Sequence, residues 1–346
     1  MITCKEEKVV CAMSGGIDSS VSAALLKEAD FNVIGVHMKL WVEKESEEAE
    51  KRARKVAKIL KIPFYVLDFR KEFKEKVVDC FLKDYERGVT PNPCVICNKE
   101  IKFGVLFRKA KELGANFIAT GHYARIKEGK EGIKLIRGSD EGKDQSYFLW
   151  RLNQKQLQSV LFPVGGYTKE DVRKMAKKFK LFPCFDIAES QEICFIRTTT
   201  GEFLEKYIKT KSGDIVDTKG KIVGEHQGLW FYTIGQRRGI KLPGGPFYVL
   251  DKDLKKNLLI VSRNEKDLYK KEVVLKNINW ISGVSPKLPI KVKAKIRYSH
   301  KAAEAVLRLK NKRYILMFKK GQRAVTPGQS AVFYKGTEVL GGGIIC

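Results

Sequence analysis

The chain of 346 residues is short of acidic side chains and has no long apolar run. Asp and Glu number 40 against 67 Lys and Arg, which leaves a formal net charge of +27. No apolar run approaches the roughly 18 residues of a membrane span, and no signal-peptide pattern is present. A first strand pattern from Lys8 leaves no room for a transit peptide. We therefore expect a cytoplasmic protein without a membrane partner.

Cysteine is also sparse, at 8 residues. This number is too low for a disulfide scaffold in a chain that is long enough for two or three domains. We expect reduced cysteines that are reactive or metal-binding. The excess of positive charge is larger than solubility requires, so it predicts a polyanionic partner, with nucleic acid ahead of a membrane surface.

Strand and helix patterns alternate through the first third of the chain. Strand patterns cover 8–13, 31–38, 64–68 and 116–121, and helical patterns cover 19–29, 44–61, 69–87 and 99–113. This alternation predicts an α/β fold with a doubly wound parallel sheet. Ligands of such sheets bind beyond the carboxyl ends of the strands, which directs attention to residues 14–20, 37–38 and 121–123.

The second half of the chain has a different texture. After a helical stretch near 154–180, short apolar runs separated by Gly, Asp and Pro begin at about residue 210 and predict β-structure, with strands at 273–275 and 314–318. We predict three domains, namely 1–209, 210–270 and 271–346.

The turn after the first strand is rich in glycine and serine. Residues 14–20 read Ser-Gly-Gly-Ile-Asp-Ser-Ser and precede an amphipathic helix, whose N-terminus offers unpaired N–H groups to an anion. The lysine of a Walker loop is missing, which argues against that chemistry. The segment resembles the pyrophosphate loop of ATP pyrophosphatases, which adenylate a substrate, and we prefer this interpretation to an ordinary glycine-rich turn.

Further motifs make the resemblance more specific. They are the run from Pro91 to Phe103, Ala-Thr-Gly-His-Tyr at 119–123, Lys-Asp-Gln-Ser-Tyr at 143–147, the element around Cys194, Tyr-Thr-Ile-Gly-Gln-Arg at 232–237 and Ala-Val-Thr-Pro-Gly-Gln at 324–329. Together they resemble the tRNA-specific 2-thiouridylases over nearly the whole chain. The resemblance implies a pyrophosphate-loop domain followed by two small β-rich domains, the last of them a β-barrel.

The resemblance also implies an activity, its substrates and its partners. Enzymes of this family use ATP to adenylate the C2 oxygen of the wobble uridine (position 34) of tRNA and then replace that oxygen with sulfur. We expect ATP with Mg2+, tRNA, and a sulfur donor that is either a persulfide carrier protein or sulfide. The implied nucleotide contacts are Ala12, Met13, Ser14, Gly15, Gly16, Ile17, Asp18, Ser19, Met38 and Gly121. The implied tRNA contacts are Asn92, Pro93, Cys94, His122, Lys143, Asp144, Gln145, Arg297, Tyr298 and Gln329.

Two cysteines carry the implied sulfur chemistry. By resemblance, Cys194 accepts sulfur as a persulfide, and Cys97 attacks the activated carbon or the persulfide, leaving a Cys97–Cys194 disulfide to be reduced. Because the thiolate is the reactive form, we expect both cysteines in electropositive, partly accessible surroundings, with Lys99 and Lys102 supplying charge near Cys97.

Cys94 departs from the family's usual aspartate. Together Cys94, Cys97 and Cys194 could hold a 4Fe-4S cluster with one iron free to bind sulfide. We prefer this cluster to the pure persulfide route, because the change from Asp supplies a third thiolate. The alternatives stay open: Cys94 and Cys97 could form a redox pair, or Cys94 could be a bystander. The remaining cysteines are expected to pack as small apolar residues. They are Cys4, Cys11, Cys80, Cys184 and Cys346.

Residues 291–323 contain twelve Lys or Arg and one acid, Glu304, with aromatic residues between them. This bias predicts contacts with a phosphate backbone, which fix register without reading bases. Two rival interpretations remain. A small-molecule synthetase with a pyrophosphate loop leaves the cysteines and the charge unexplained, and a non-catalytic RNA-binding protein leaves the intact loop unexplained.

Overall fold

The structure is a computed structural model that describes residues 7–41, 44–129, 132–185, 193–196 and 198–346. Its first part alternates strands and helices, with π-helical turns at Lys74–Val78 and Asn98–Val105 joining α3 to α4 and α5 to α6. The elements are β1 (Lys8–Ala12), α1 (Ile17–Glu28), β2 (Asn32–Lys39), α2 (Lys44–Leu60), β3 (Phe64–Asp68), α3 (Arg70–Phe73), α4 (Asp79–Glu86), α5 (Pro93–Cys97), α6 (Leu106–Glu112), β4 (Phe117–Ala119), β5 (Ala124–Gly129), β6 (Gly132–Arg137), α7 (Gln154–Leu157), β7 (Val160–Leu161), α8 (Lys169–Lys178) and α9 (Thr200–Glu205).

A five-stranded parallel sheet forms the centre of this part, in the order β3-β2-β1-β4-β7. The central strands are buried, as the apolar runs predict for parallel sheets covered on both faces. Helices α1, α2 and α8 cover one face, and the segment from α3 to α6 covers the other. The predicted doubly wound α/β domain is confirmed. The order reverses between β1 and β4, which is where such sheets bind ligands.

The two prolines at 91 and 93 predict a loop, since proline disfavours a helix interior, and this prediction is wrong in part. Residues Pro93–Cys97 form α5, with Pro93 in the first turn. A proline is tolerated there because its missing N–H would have no partner inside the helix. Cys94 and Cys97 therefore lie one turn apart on a helix.

The predicted helical stretch near 154–180 is interrupted. Only α7 and α8 are helical, and Pro163 and Gly165 lie in the connection between them. An added Cβ at Gly165 would lie 1.7 Å from the Ala124 carbonyl oxygen, so this close crossing requires glycine. The hairpin of β5 and β6 was not predicted. Among the described residues, no helix is long and apolar enough to cross a membrane.

The second part of the chain is almost entirely β-structure, as predicted. Its strands are β8 (Gly213–Val216), β9 (Ile222–His226), β10 (Tyr248–Asp253), β11 (Leu258–Ser262), β12 (Tyr269–Trp280), β13 (Ile290–Lys295), β14 (Ala303–Lys310), β15 (Arg313–Arg323), β16 (Ser330–Lys335) and β17 (Glu338–Ile345). Strands β8 to β11 form one sheet, and β12 to β17 close into an antiparallel six-stranded barrel through the β12–β17 pairing. The predicted β-barrel is confirmed.

The barrel is docked tightly against the parallel-sheet part. Strand β17 also pairs with β6, so one sheet runs from the barrel into the hairpin. The Tyr147 hydroxyl donates to the Ser330 carbonyl (2.9 Å) and the Trp150 indole donates to the Ser330 hydroxyl (3.0 Å), both in buried positions. Buried hydrogen bonds of this kind fix the barrel relative to the parallel sheet.

Candidate active site

The turn after β1 is held in shape by its own serine hydroxyls. The Ser19 hydroxyl accepts from the Ser14 N–H (3.2 Å) and donates to the Gly16 carbonyl (3.0 Å). The Ser20 hydroxyl donates to the same carbonyl at 2.9 Å. Gly16 is the N-cap of α1, so these bonds hold the turn around the free N–H groups of the first helical turn. The arrangement suits an anion, as the sequence predicts.

Two glycines allow close approaches around this turn. Gly15 has a φ of +80°, and an added Cβ would lie 2.3 Å from the Ala49 carbonyl oxygen of α2. An added Cβ at Gly121, just after β4, would lie 2.7 Å from the Ser19 backbone nitrogen. Both positions therefore require glycine, and Gly121 is brought to the loop at the reversal point of the sheet.

Asp18 in the loop has partners that the sequence did not reveal. Its Oδ1 accepts from the Tyr123 hydroxyl at 2.8 Å and from the Lys169 Nζ at 2.7 Å. Lys169 is only 7% exposed and begins α8, 151 positions from Asp18. No sequence pattern links the two residues. Lys169 supplies positive charge beside a loop that lacks the Walker lysine.

A cavity of about 400 Å3 opens at the carboxyl ends of β1 and β2. It brings together nine of the residues that were predicted as site residues. Ile17, Asp18 and Ser19, which were also predicted, lie in the first turn of α1. The lining includes Ala12, Met13, Ser14, Met38, Pro93, Cys94, Cys97, His122 and Cys194. Lys102 also lines it. The nucleotide loop and the three cysteines of interest thus meet around one space.

Two histidines line the same cavity. His122 is buried, with Nδ1 2.8 Å from the Thr120 hydroxyl and its ring against Phe103 and Phe162. Burial, with a smaller contribution from Lys102, holds the pKa of His122 well below its usual value, so the ring is neutral at pH 7. His37 lies in the strand-end segment 37–38 to which the sequence directs attention, but no role was predicted for it.

The cysteines differ in accessibility. Cys97 is 6% exposed, Cys94 is half-buried and Cys194 is exposed. Burial raises the pKa of Cys97 to about 12 and that of Cys94 to about 11, although Lys102 opposes both shifts. The expectation of a partly accessible Cys97 is therefore wrong, whereas the expected positive charge is supplied by Lys102, whose effect on the pKa is smaller than that of burial.

Lys99 does not supply the charge that was expected near Cys97. Its Nζ lies 3.9 Å from the Glu100 carboxylate, and its own pKa is lowered by burial and by Arg151. Of the two predicted lysines, Lys102 acts on the Cys97 thiol. No disulfide joins Cys97 to Cys194 in the structure.

The other cysteines follow the prediction only in part. Cys11 and Cys184 are buried, and Cys184 Sγ lies 3.1 Å from the Ser20 hydroxyl of the loop. Cys80 and Cys346 are exposed, contrary to expectation. The π-helical turn before Cys80 shifts the phase of the helix, which turns the thiol outward. Cys4 lies outside the described residues.

The segment that leads into α5 accepts hydrogen bonds from both β-rich parts. The Gln329 amide of the barrel donates to the carbonyls of Thr90 (3.0 Å) and Pro91 (3.2 Å). From the sheet of β8 to β11, Lys252 Nζ donates to the Gly88 carbonyl at 3.2 Å. We call residues 88–92 the cysteine approach. The position of Cys94 and Cys97 thus depends on both β-rich parts.

The predicted tRNA contacts lie in three places, which are the cavity, the junction with the barrel and the segment 143–145. Pro93, Cys94 and His122 line the cavity, whereas Asn92, Arg297 and Gln329 lie at the junction with the barrel. Arg297 donates to the carbonyl of Ile234 at 2.9 Å. The role of these residues toward tRNA stays a prediction.

Tyr298 stands at the edge of the same junction. It is 37% exposed, and its ring lies 4.6 Å from that of Phe148 with Lys295 Nζ 5.4 Å from its centroid. Half-exposed aromatic rings flanked by lysine suit stacking of an unpaired base.

The predicted Lys143, Asp144 and Gln145 segment is partly internal. The Asp144 carboxylate is buried and accepts from the Arg137 Nε (2.8 Å) and from the N–H groups of Gly138 and Ser146. Contact of Asp144 with RNA stays a prediction, and in this structure its carboxylate orders the turn and is shielded from solvent. Lys143 and Gln145 are both half-buried, and their contact with tRNA stays a prediction.

The fold and the loop define a pyrophosphate-loop α/β protein with two β-rich parts attached. Three family models match the chain in succession: "tRNA methyl transferase HUP domain" at residues 7–198, "tRNA methyl transferase PRC-barrel domain" at 201–263 and "Aminomethyltransferase beta-barrel domain" at 270–345. Together they span nearly all of the sequence.

Full-length relatives identify the family. The tRNA-specific 2-thiouridylase MnmA of Syntrophomonas wolfei subsp. wolfei is 48% identical over 342 residues, covering 98% of this chain and 99% of the relative. MnmA of Clostridioides difficile strain 630 is 44% identical and covers 98% of both. The chain belongs to the family of tRNA-specific 2-thiouridylases, and it is an enzyme. The two rival interpretations are therefore set aside.

A solved structure gives a weaker likeness. The U34-tRNA thiolase NcsA from Methanococcus maripaludis with its 4Fe-4S cluster matches with a TM-score of 0.39 at 19% identity, covering 60% of this chain and 65% of that one. A likeness at this level carries no argument about a cluster here.

Proposed function

We propose that the protein replaces the C2 oxygen of the wobble uridine (position 34) of tRNA with sulfur, in two steps that share one cavity. The observation that carries the proposal is the lining of this cavity, where Ser14 of the loop meets Cys97 and Cys194. A site that activates a carbonyl with ATP and then delivers sulfur needs both groups within reach of one base. Family membership supports the same reaction.

The first step uses the loop. The C2 oxygen attacks the α-phosphorus of ATP, pyrophosphate leaves, and the oxygen becomes part of an AMP leaving group. The N–H groups and hydroxyls of residues 14–20 would hold the pyrophosphate, and Mg2+ bound with the nucleotide would neutralise part of its charge. Met38 and Gly121 flank the adenosine in this proposal.

The second step uses the cysteines. A persulfide carrier transfers a sulfur atom to the exposed Cys194, which then carries an S–SH group. The Cys97 thiolate attacks the inner sulfur, forming the Cys97–Cys194 disulfide and releasing hydrosulfide. Hydrosulfide adds to C2 and expels AMP, and a thiol reductant returns two electrons to the disulfide. If sulfide itself is the donor, it adds to C2 directly and no cysteine is oxidised.

The alternative with a 4Fe-4S cluster on Cys94, Cys97 and Cys194 is tested separately. Within the described part of the chain, no three His, Cys, Asp or Glu residues form a group that could hold a metal ion. We therefore derive no step through a cluster. Iron bound by anaerobically prepared protein, and its loss in Cys94→Ala, would favour this route.

The domain division fits this proposal. The segment 1–209 carries both chemical steps, and segments 210–270 and 271–346 hold the tRNA. The basic residues of 291–323 lie within the last segment and supply phosphate contacts there.

Nucleoside analysis tests the function. Unmodified tRNA with uridine at position 34 is incubated anaerobically with protein, ATP, Mg2+ and a persulfide donor, and a tRNA with cytidine at that position is the matched control. We expect 2-thiouridine and AMP only with the uridine tRNA and ATP. AMP formation without RNA, or no 2-thiouridine, would contradict the proposal. Retention of thiolation in Cys94→Ala would favour the two-cysteine route.

A further inference from the structure

Lys102 is the only charged residue among the described residues that line the cavity. The two histidines of the lining, His37 and His122, are neutral at pH 7, because burial lowers their pKa values. Lys102 is half-buried, and its Nζ has no ion-pair or hydrogen-bond partner in the part of the chain that the structure describes. Since a charge that is partly removed from water without a partner is costly, its place at the cavity indicates an anionic ligand.

The charge of Lys102 lies with the cysteines rather than with the glycine- and serine-rich loop. Burial raises the pKa values of Cys94 and Cys97, and the positive charge of Lys102 opposes both shifts. Its ammonium group is therefore within electrostatic reach of both thiols. At the loop the cation is Lys169, whose Nζ lies 2.7 Å from the Asp18 carboxylate. The loop and the cysteines thus have separate cations.

The proposed sulfur step produces one anion beside the cysteines. When the Cys97 thiolate attacks the inner sulfur of the persulfide, the bond to the outer sulfur breaks, and that sulfur leaves with the electron pair as hydrosulfide. The wall around it includes Trp41, Phe73 and Phe195, so the ion would lose hydration without compensation from these side chains. A neighbouring ammonium group provides that compensation.

We propose that Lys102 binds the hydrosulfide ion through its ammonium group and holds it in the cavity until it adds to C2 of the uridine. The C2–S bond forms, the C2–O bond breaks, AMP leaves with the electron pair, and the S–H proton passes to N3. Because hydrogen sulfide is neutral and diffuses freely, pairing with a cation also keeps the sulfur ionised and in place. This inference rests on the proposed function, because it assumes that hydrosulfide is the sulfur species that reaches the base.

Sulfide offered from solution tests the site without the chemistry of the cysteines. Wild type, Lys102→Met and Lys102→Arg are incubated anaerobically with uridine-34 tRNA, ATP, Mg2+ and varied sulfide, at a mildly alkaline pH where most of the sulfide is hydrosulfide. We expect KM for sulfide to rise about tenfold in Lys102→Met, corresponding to one charge-assisted hydrogen bond, and Lys102→Arg to restore most of the affinity. An unchanged KM in Lys102→Met would overturn the assignment.

A neutral nucleophile is the matched control. Hydroxylamine is uncharged at this pH and expels AMP from the same carbon, so Lys102→Met should capture it at the wild-type rate. Equal slowing with both nucleophiles would overturn the proposal, because the charge would then act on the AMP phosphate. If the wild type captures hydroxylamine but does not use sulfide, the hydrosulfide site is excluded and the adenylation step stands. If neither nucleophile yields RNA-dependent AMP, the proposed function itself fails.

A second readout separates retention of hydrosulfide from an effect of Lys102 on the Cys97 thiol. Protein that carries a persulfide on Cys194 is mixed with ATP, Mg2+ and tRNA without a thiol reductant, and 2-thiouridine and free sulfide are measured after one turnover. The ratio of these products does not depend on how fast the Cys97 thiolate releases hydrosulfide. We expect Lys102→Met to lose about tenfold more sulfide per 2-thiouridine than the wild type, in line with the weaker binding. An unchanged ratio would contradict retention by Lys102.

Discussion

The two sides of the cavity are built in different ways. The phosphate side is held by bonds inside one seven-residue turn, such as those of the Ser19 hydroxyl to Ser14 and Gly16. On the sulfur side, Cys97 and Cys194 come from segments 97 positions apart in the sequence, and the wall around them is formed by several segments between residues 12 and 195. A short pattern can therefore specify the phosphate side, whereas the sulfur side depends on the packing of segments that are distant in the sequence.

The two sides also differ in whether their functional groups are already in the form that the proposed reaction needs. Hydrogen-bond donors of the loop are already in place for an anion. The Cys97 thiol, in contrast, faces an apolar wall in which Trp41, Phe73 and Phe195 contact one another, and its raised pKa keeps it protonated at neutral pH. In the proposed reaction, the sulfur step therefore requires a change at α5 that the phosphate step does not require. The cysteine approach connects α5 to the barrel, which is part of the region proposed to hold the tRNA.

The largest expected effect comes from breaking the phosphate side. In Gly15→Ala the new methyl group meets the Ala49 carbonyl at 2.3 Å and the backbone has a φ of +80°, so the loop must move. We expect ATP affinity to fall about a hundredfold, as for other displacements of this size in active sites. Calorimetry measures it. Gly16→Ala is the matched control, because its Cβ meets only the Ser14 hydroxyl, at 3.5 Å. Equal losses in both variants would contradict the assigned role of the Gly15 contact.

The pH dependence of Cys97 alkylation tests whether this thiol is protonated at neutral pH, as the comparison of the two sides requires. Because its pKa is raised to about 12, the thiolate fraction grows with pH throughout the accessible range. We expect the alkylation rate of Cys97 in the free protein to rise about tenfold per pH unit from pH 7 to 10. Mass spectrometry of the labelled peptides separates Cys97 from Cys94 and Cys194.

Lys102 provides the control for this pH profile. Removing its positive charge in Lys102→Met should raise the pKa of Cys97 further and slow alkylation at every pH, since Lys102 favours the thiolate. A plateau below pH 9 in the wild type would show that Cys97 is already ionised, and the contrast between the two sides would be lost.

The smallest expected effect concerns the link between barrel and cysteines. Gln329→Ala removes the donor to the Thr90 and Pro91 carbonyls. We expect sulfur transfer to slow about fivefold, the value of roughly one hydrogen bond, with ATP affinity unchanged. Single-turnover thiolation measures it. Gln322→Ala is the control, since that amide donates to the Lys320 carbonyl of its own strand and not to the cysteine approach. An equal effect of both variants would show that the bonds from Gln329 to the cysteine approach do not link the barrel to sulfur transfer.

Features that depend on local patterns could be predicted from the sequence. The parallel sheet, the loop at 14–20 and the β-rich second half follow from apolar periodicity and from turn residues. The α5 helix was missed because Pro93 favours either a helix start or a loop, and tertiary packing decides between them. The break between α7 and α8 depends on the crossing of Gly165 over Ala124, which no periodicity reveals.

The site, like the fold, could be predicted from the sequence only where a local pattern specifies it. Sequence identified the loop and the cysteines, but the burial of Cys97 depends on aromatic residues that reach the cavity from distant segments. Lys169 and its ion pair with Asp18 join positions 151 residues apart. The tautomer of the His37 ring depends on the hydrogen bond between its Nδ1 and the Met13 carbonyl, which lies just beyond the end of the neighbouring strand. Such properties arise only when the chain has folded.

The separation of the two steps is tested most directly by measuring pyrophosphate release and thiolation together. Wild type, Cys97→Ala and Cys194→Ala are each mixed anaerobically with uridine-34 tRNA, ATP, Mg2+ and a persulfide donor, and both products are measured after one turnover. We predict RNA-dependent pyrophosphate release of about one equivalent from all three proteins, and 2-thiouridine from the wild type alone. Loss of pyrophosphate release in the cysteine variants, or 2-thiouridine formed by either of them, would contradict the division of the cavity into a phosphate side and a sulfur side.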